Sequence, residues 1–274
     1  MTTNQEQLHM DFPRLIGMVH LPALPGSPLS SLALDECERC AVADAVALAE
    51  GGADALIIEN FGDVPFRAGS VDPHTIATMT RIGLAIRSEV DLQIGVNVLR
   101  NDGLAALGIA HALDASFIRV NILSGTMATD QGLITGQADS LMRTRQSLGA
   151  SRIKVLADVL VKHASPLASL SIADAVEDAT LRGLADGVIV SGSATGKPAD
   201  PSDVRQAVQS SGNRPVYIGS GITTESIARF VPPAYGAIVG TSIKRDGRIN
   251  APVDVERVRR LADWFRTMPE ENGP

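Results

Sequence analysis

Glu59, Asn97, Arg119, Asn121 and Asp158 stand at or near the ends of short apolar runs, ALIIEN (55–60), LQIGVNV (92–98), SFIRVN (116–121) and IKVLADV (153–159). Carboxylates, amides and a guanidinium drawn to one place suit proton transfer. Asp158 or Glu59 would act as general base, while Arg119, Asn97 and Asn121 orient hydroxyls or an oxyanion. Each has a structural alternative, above all Arg119, which could equally be paired with Glu59 or Asp158 to hold a core together. A second kind of chemistry is suggested by VYIGSGITTES (216–226) and GAIVGTSIK (236–244). Both are apolar runs that end in small residues: Gly219, Ser220 and Gly221 in the first, Gly240, Thr241 and Ser242 in the second. Small residues let a ligand approach the backbone, and N–H groups, hydroxyls and the N-terminus of a probable helix capped by Thr223 or Thr224 would bind an anion such as phosphate. Two ordinary tight turns are the plainer alternative.

Other residues are candidates by position. His20 ends LIGMVH (15–20) and either meets the ligand or hydrogen-bonds a neighbouring loop; Ser191 ends GVIVS (187–191). Lys162 and His163 follow IKVLADV within VKHASP, where a lysine would form a Schiff base, neutralise an oxyanion, or simply be solvated. A divalent metal held by Glu59, Asp158 and His163 is one further option, and no other cofactor is evident. LSGTMATDQGLITGQ (123–137) is long enough to cover a ligand, with Asp130 as a turn residue or a lid carboxylate. SGSATGKP (191–198) is rejected as a P-loop. Its Gly192-to-Gly196 spacing is one residue short and Pro198 stands where a metal-binding hydroxyl is needed, so it is expected to be a flexible loop.

These residues need a frame that brings strand ends together. Eight β-rich runs, the six above together with PVYIGS (215–220) and GAIVGT (236–241), alternate with amphipathic segments. Helices are clearest in LDECERCAVADAVALAEGG, PHTIATMTRIGLAIRSEV, DGLAALGIAHAL, SIADAVEDATLRGLA and DVERVRRLADWF. Strand alternating with helix implies parallel strands and right-handed crossovers, and eight units in this length predict a closed (β/α)₈ TIM barrel, α/β in class. A doubly wound open sheet would show a Gly-rich first turn, whereas HLPALPGSP is stiffened by Pro22, Pro25 and Pro28. No linker divides the chain, so a single domain is expected over 1–274, with its core at about 14–267 and fraying only before about Asp11 and after about Met268. Within a barrel the outer face of each strand must be apolar, which turns Gln93, Gly95, Asn97, Arg119, Asn121, Lys154 and Asp158 inward. Barrel sites lie at the C-terminal mouth, and phosphate is usually held after the seventh and eighth strands.

Composition narrows the partners. A chain of 274 residues, 45% hydrophobic and 20% charged, buries a full core, and a net charge of −7 argues against a nucleic-acid binder. No apolar run reaches the roughly 18 residues of a membrane span, and MTTNQEQLHMDF lacks the pattern of a secretory leader. A cytoplasmic, homo-oligomeric protein with a phosphorylated small molecule as partner is expected. Cys37 and Cys40 share one helix face and are expected as two semi-buried thiols.

The sequence resembles the BtpA/SgcQ family in LIGMVHLPALPGSP, IIENFGDVPF, GVNVLRND, FIRVN, TDQG, ADVLVKHASPL, RGLADGVIVSGSATGKP, IGSGI and IVGTSIKRDG, from about Leu15 to Leu261. The resemblance implies a TIM barrel of the ribulose-phosphate-binding kind. It leaves two functional expectations: an enzyme of phosphorylated sugars or related esters, with isomerase, aldolase or lyase chemistry, or a non-catalytic assembly factor for a membrane complex, as the photosystem I biogenesis role of the family suggests. The polar mouth favours the first.

Overall fold

The computed structural model describes residues 12–161, 163–192 and 199–268. Its strands are β1 (Leu15–His20), β2 (Ala55–Glu59), β3 (Gln93–Asn97), β4 (Phe117–Val120), β5 (Thr126–Thr129), β6 (Gly132–Thr135), β7 (Lys154–Val159), β8 (Ala164–Pro166), β9 (Gly187–Val190), β10 (Val216–Ile218) and β11 (Gly236–Val239). Eight of these close a parallel barrel in the order β1-β2-β3-β4-β7-β9-β10-β11, with β11 returning to β1. Helices α1 (Leu34–Gly51), α2 (Pro73–Glu89), α3 (Gly103–Ala112), α4 (Ala138–Ser147), α5 (Ile172–Glu177), α6 (Pro201–Ser210) and α7 (Val255–Thr267) follow in turn. Their starts carry the expected chemistry. Pro73 opens α2, where its missing N–H costs nothing, and the side chains of Asp102, Ser171, Asp200 and Asp254 accept first-turn N–H groups of α3, α5, α6 and α7.

Strand alternation splits the apolar residues into two cores. Ile16, Met18, Ile57, Phe117, Leu156, Ile189, Tyr217 and Ile238 fill the barrel, and Phe12 joins them. Val19, Ile58, Val96, Ile118, Val155 and Val188 face outward and belong to the cluster shared with the helices. Fully burying each such side chain contributes about 1.5–3 kcal/mol. The Tyr217 hydroxyl donates to the Pro13 carbonyl at 2.7 Å and that of Tyr235 to the Phe12 carbonyl at 2.6 Å, fastening the segment that leads into β1.

The elements depart from the sequence pattern in four places. LSGTMATDQGLITGQ forms the hairpin β5–β6, and β8 adds to it as a third antiparallel strand. After β10 there is no α-helix but a 3₁₀ turn of three residues, Ile227–Arg229, so the helix expected after Thr223 or Thr224 is absent. The stretch around SIADAVEDATLRGLA is a short α5 continued by a π turn over Asp178–Arg182. Of the two thiols, Cys37 is buried and Cys40 exposed rather than both semi-buried. Lys162 and residues 193–198 of SGSATGKP lie outside the described residues, as do the ends expected to fray.

Candidate active site

The barrel register sets His20, Glu59, Asn97 and Arg119 side by side on successive strands β1 to β4. Asp158, near the end of β7, meets Arg119 in a two-point ion pair: Nε donates to Oδ2 at 2.8 Å and Nη2 to Oδ1 at 2.9 Å. Asn121 Nδ2 donates to Oδ2 at 3.1 Å and Ser191 Oγ to Oδ1 at 3.3 Å, so both carboxylate oxygens carry two donors. The Asp158 side chain is 0% exposed and that of Arg119 3%. Burial alone would lower the Arg119 pKa, but the charge and hydrogen bonds of Asp158 raise it overall, and the guanidinium stays charged. The carboxylate expected to act as base is thus engaged by four donors of the protein and does not line the cavity described next. Asn97 Nδ2 donates to the Arg119 carbonyl and to Asn121 Oδ1, both at 3.0 Å. The two amides thus brace the strand ends and do not line the cavities described next.

A cavity of about 290 Å³ opens at the mouth between β1–β2 and β10–β11. It is lined by His20, Glu59, Phe61 and Arg119, by Met18 and Ile238 of the barrel, and by residues 219–223, 240–242, 247, 249 and 257. His20 Nε2 lies 3.7 Å from Glu59 Oε2, and the imidazole stacks at 4.6 Å on the Phe61 ring, tilted by 37°. Glu59 and His20 are thus the carboxylate and the imidazole that line this cavity.

The small residues after β10 and β11, where an anion was expected, serve unequal purposes. The Gly219 N–H donates to the Val190 carbonyl, and a Cβ there would come within 2.5 Å of both Ile189 Cγ2 and Ser191 Oγ. At Gly240 a Cβ would lie 2.8 Å from His20 Cε1. The absence of a side chain at these two glycines makes room for side chains of the protein, and both also line the cavity. Ser220 Oγ accepts from the Gly192 N–H at 2.9 Å, and Ser242 Oγ donates to the Ile222 carbonyl at 2.6 Å, so both hydroxyls shape loops. What remains for an anion is the backbone at Gly221, whose φ of 72° suits glycine, and at Thr241 and Ser242. Thr241 and Ser242 open a 3₁₀ turn, where first-turn N–H groups lack an intrahelical acceptor. Arg257, from the first turn of α7, supplies a cation beside them: it lines the same cavity, and its Nη1 donates to the Ser242 carbonyl at 3.2 Å. Lys244 does not compete for this role, being buried against Asp44 of α1.

A second cavity, about 570 Å³, lies beside the first, under the small sheet. Asp130 at the hairpin tip, His163 and Ser191 line it rather than the first cavity. Glu59, Asp158 and His163 therefore do not converge, and among the described residues no group of three His, Cys, Asp or Glu side chains could hold a metal ion. Among the described residues no helix is long and apolar enough to cross a membrane.

Two arginines escaped the sequence reading. Arg100 follows β3, is 5% exposed, and sits close enough to Asp158, Asp130, Arg119 and Glu59 for their charges to act on its own, although burial lowers its pKa overall. Arg257 looks from sequence like one charge on a solvated helix face. The available signal was position, because the first turn after a barrel strand lies at the mouth.

A family model described as the BtpA family matches residues 13–267. An uncharacterized protein of Thermococcus kodakarensis is 50% identical over 265 residues, covering 96% of this chain and all of that one. The photosystem I biogenesis protein BtpA of Synechocystis sp. is 44% identical over 262 residues, covering 94% of this chain and 91% of that one. Among solved structures, phosphoribosyl anthranilate isomerase from Thermus thermophilus aligns with a TM-score of 0.55 at 12% identity, over 93% of this chain and 100% of that chain. KGPDC from Streptococcus mutans aligns with a TM-score of 0.57 at 12% identity, over 93% and 97%. These structures share the TIM-barrel fold.

Proposed function

This chain belongs to the BtpA family, and we propose that it is an enzyme acting on a phosphorylated sugar or related phosphate ester at the C-terminal mouth of its barrel. One observation carries the reading. A single cavity is lined by a guanidinium and the start of a 3₁₀ turn together with a carboxylate–imidazole pair. The phosphate would rest on Gly221, Thr241 and Ser242 with Arg257, after the last two barrel strands, where (β/α)₈ enzymes commonly hold it. The rest of the substrate then faces Glu59, which takes a proton from a carbon or hydroxyl a few bonds away, and His20, which relays it. Arg119, fixed by Asp158, presents positive charge to an oxyanion that develops in that step. Isomerase, aldolase and lyase reactions share this first proton transfer. The phosphoribosyl substrate in the name of the Thermus thermophilus neighbour is in keeping with the class, though not with a particular reaction.

Ribose 5-phosphate tests the anion end without knowledge of the reaction. Calorimetric titration is expected to show saturable binding to the wild-type chain and a Kd about 10- to 100-fold weaker for Arg257→Gln, the loss of one charge-assisted hydrogen bond. Equal affinity in the two proteins would remove Arg257 and the adjoining turn from the phosphate site.

A further inference from the structure

Two stretches of chain supply the anion site of the reading above: the turn at Thr241 and Ser242, after β11, and Arg257 in the first turn of α7. Ser242 and Arg257 are 15 residues apart in sequence. A turn and a guanidinium that far apart bind one phosphate only where something fixes the spacing between them. No residue of α1 lines the cavity, yet α1 holds both stretches.

The first hold is Asp44. Its Oδ2 accepts from Lys244 Nζ, and its Oδ1 accepts from the Val253 N–H at 2.7 Å. Lys244 lies just after the turn and Val253 just before α7. The two are themselves joined by an antiparallel bridge. Beside it the Arg245 N–H donates to the Pro252 carbonyl and the Asp254 N–H to the Ile243 carbonyl, both at 2.9 Å. One buried carboxylate therefore grips both ends of the loop 244–253. Gly51, two helical turns further along α1, is the second hold. A Cβ built there would lie 2.4 Å from Val258 Cβ and 3.0 Å from the Val255 carbonyl oxygen, so the first turn of α7 rests against the backbone of α1. Arg257 sits between those two valines, and its Nη1 donates to the Ser242 carbonyl at 3.2 Å.

Resting on the phosphate-ester reading, we propose that Asp44, Lys244 and Gly51 are positioning residues, through which α1 sets the spacing between the Thr241–Ser242 turn and Arg257 and hence the affinity for phosphate. A buried ion pair often contributes little stability beyond apolar residues of the same volume. The directed contacts of this one hold the loop in a single register.

Calorimetric titration of inorganic phosphate is the test, into the wild-type chain, Asp44→Leu/Lys244→Met and Gly51→Ala, each with and without Arg257→Gln. The double substitution removes both buried charges together and strands neither, whereas Gly51→Ala places a methyl group between α1 and α7. Each variant is expected to keep a cooperative thermal transition and to bind phosphate about tenfold more weakly, the loss of one well-aligned charge-assisted hydrogen bond. In the Arg257→Gln background either change should weaken binding by less than about twofold, because the group it positions is gone. A merely structural role would lower the melting temperature and leave the Kd of the folded protein at the wild-type value, which overturns the proposal. So does a tenfold loss that persists in Arg257→Gln, since α1 would then act elsewhere. If Asp44→Leu/Lys244→Met does not fold, Gly51→Ala, in which no charge changes, decides by the same criteria. Failure of inorganic phosphate to bind the wild type overturns the phosphate-ester reading itself, and this proposal with it.

Discussion

Arg119→Met lowers the free energy of unfolding by about 3–5 kcal/mol, because it strands the Asp158 carboxylate in a buried site. Asp158 is 0% exposed in its side chain and takes two of its four hydrogen bonds from Arg119. Asn121 and Ser191 remain after the substitution, but neutral donors do not replace a guanidinium. Urea unfolding measures the effect as a fall in midpoint at constant slope. Asp158→Asn is expected to fail in the same manner, through a buried and unpaired Arg119 rather than through loss of a base. The double variant Arg119→Met/Asp158→Leu separates the pair from its parts: removing both charges recovers most of the stability, since a buried ion pair often contributes little beyond its apolar replacement. A loss below about 1 kcal/mol for Arg119→Met, the range of an exposed pair, would show that solvent reaches Asp158.

Glu59→Gln carries the largest expected effect on activity. It retains the size of the side chain and a hydrogen-bonding group while removing the only property a base requires. On the ester selected by a sugar-phosphate screen, kcat should fall by about 10²–10⁴-fold with KM little changed, the signature of a group that acts in the transition state. Glu59 lines the cavity and has His20 at 3.7 Å. Wild-type turnover in Glu59→Gln would reject Glu59 as the base.

Much of the frame is legible without coordinates. Alternation in SFIRVN and IKVLADV requires Ile118, Val120, Val155 and Ala157 to face helices, and this alone turns Arg119 and Asp158 toward each other across the β4–β7 ladder. Position along a strand does not reveal what a side chain does once it is there. Whether Asp158 is available or saturated depends on the reach of Arg119, Asn121 and Ser191 from three different segments. The glycines illustrate the same limit. GSG and Gly240 signal close approach, and at Gly219 and Gly240 the groups that approach include Ser191 and His20 of the protein itself. The small sheet is hidden for a different reason: TMAT, GLIT and ASP are short and bury few side chains, so their pairing is set by the hairpin tip and by β8 rather than by an apolar pattern. Arg257 was passed over because first-turn charges on surface helices are common, and only closure of the barrel brings it to the mouth.

The central claim is that phosphate lies against the wall formed after β10 and β11. A crystal structure of the chain with ribose 5-phosphate tests it most directly. The account predicts the phosphate oxygens within hydrogen-bonding distance of the Thr241 and Ser242 N–H groups and of the Arg257 guanidinium, with the sugar carbons directed toward Glu59. Phosphate density in the cavity beside Arg67 and His74, between the loops after β1 and β2, with the mouth wall empty, would contradict it.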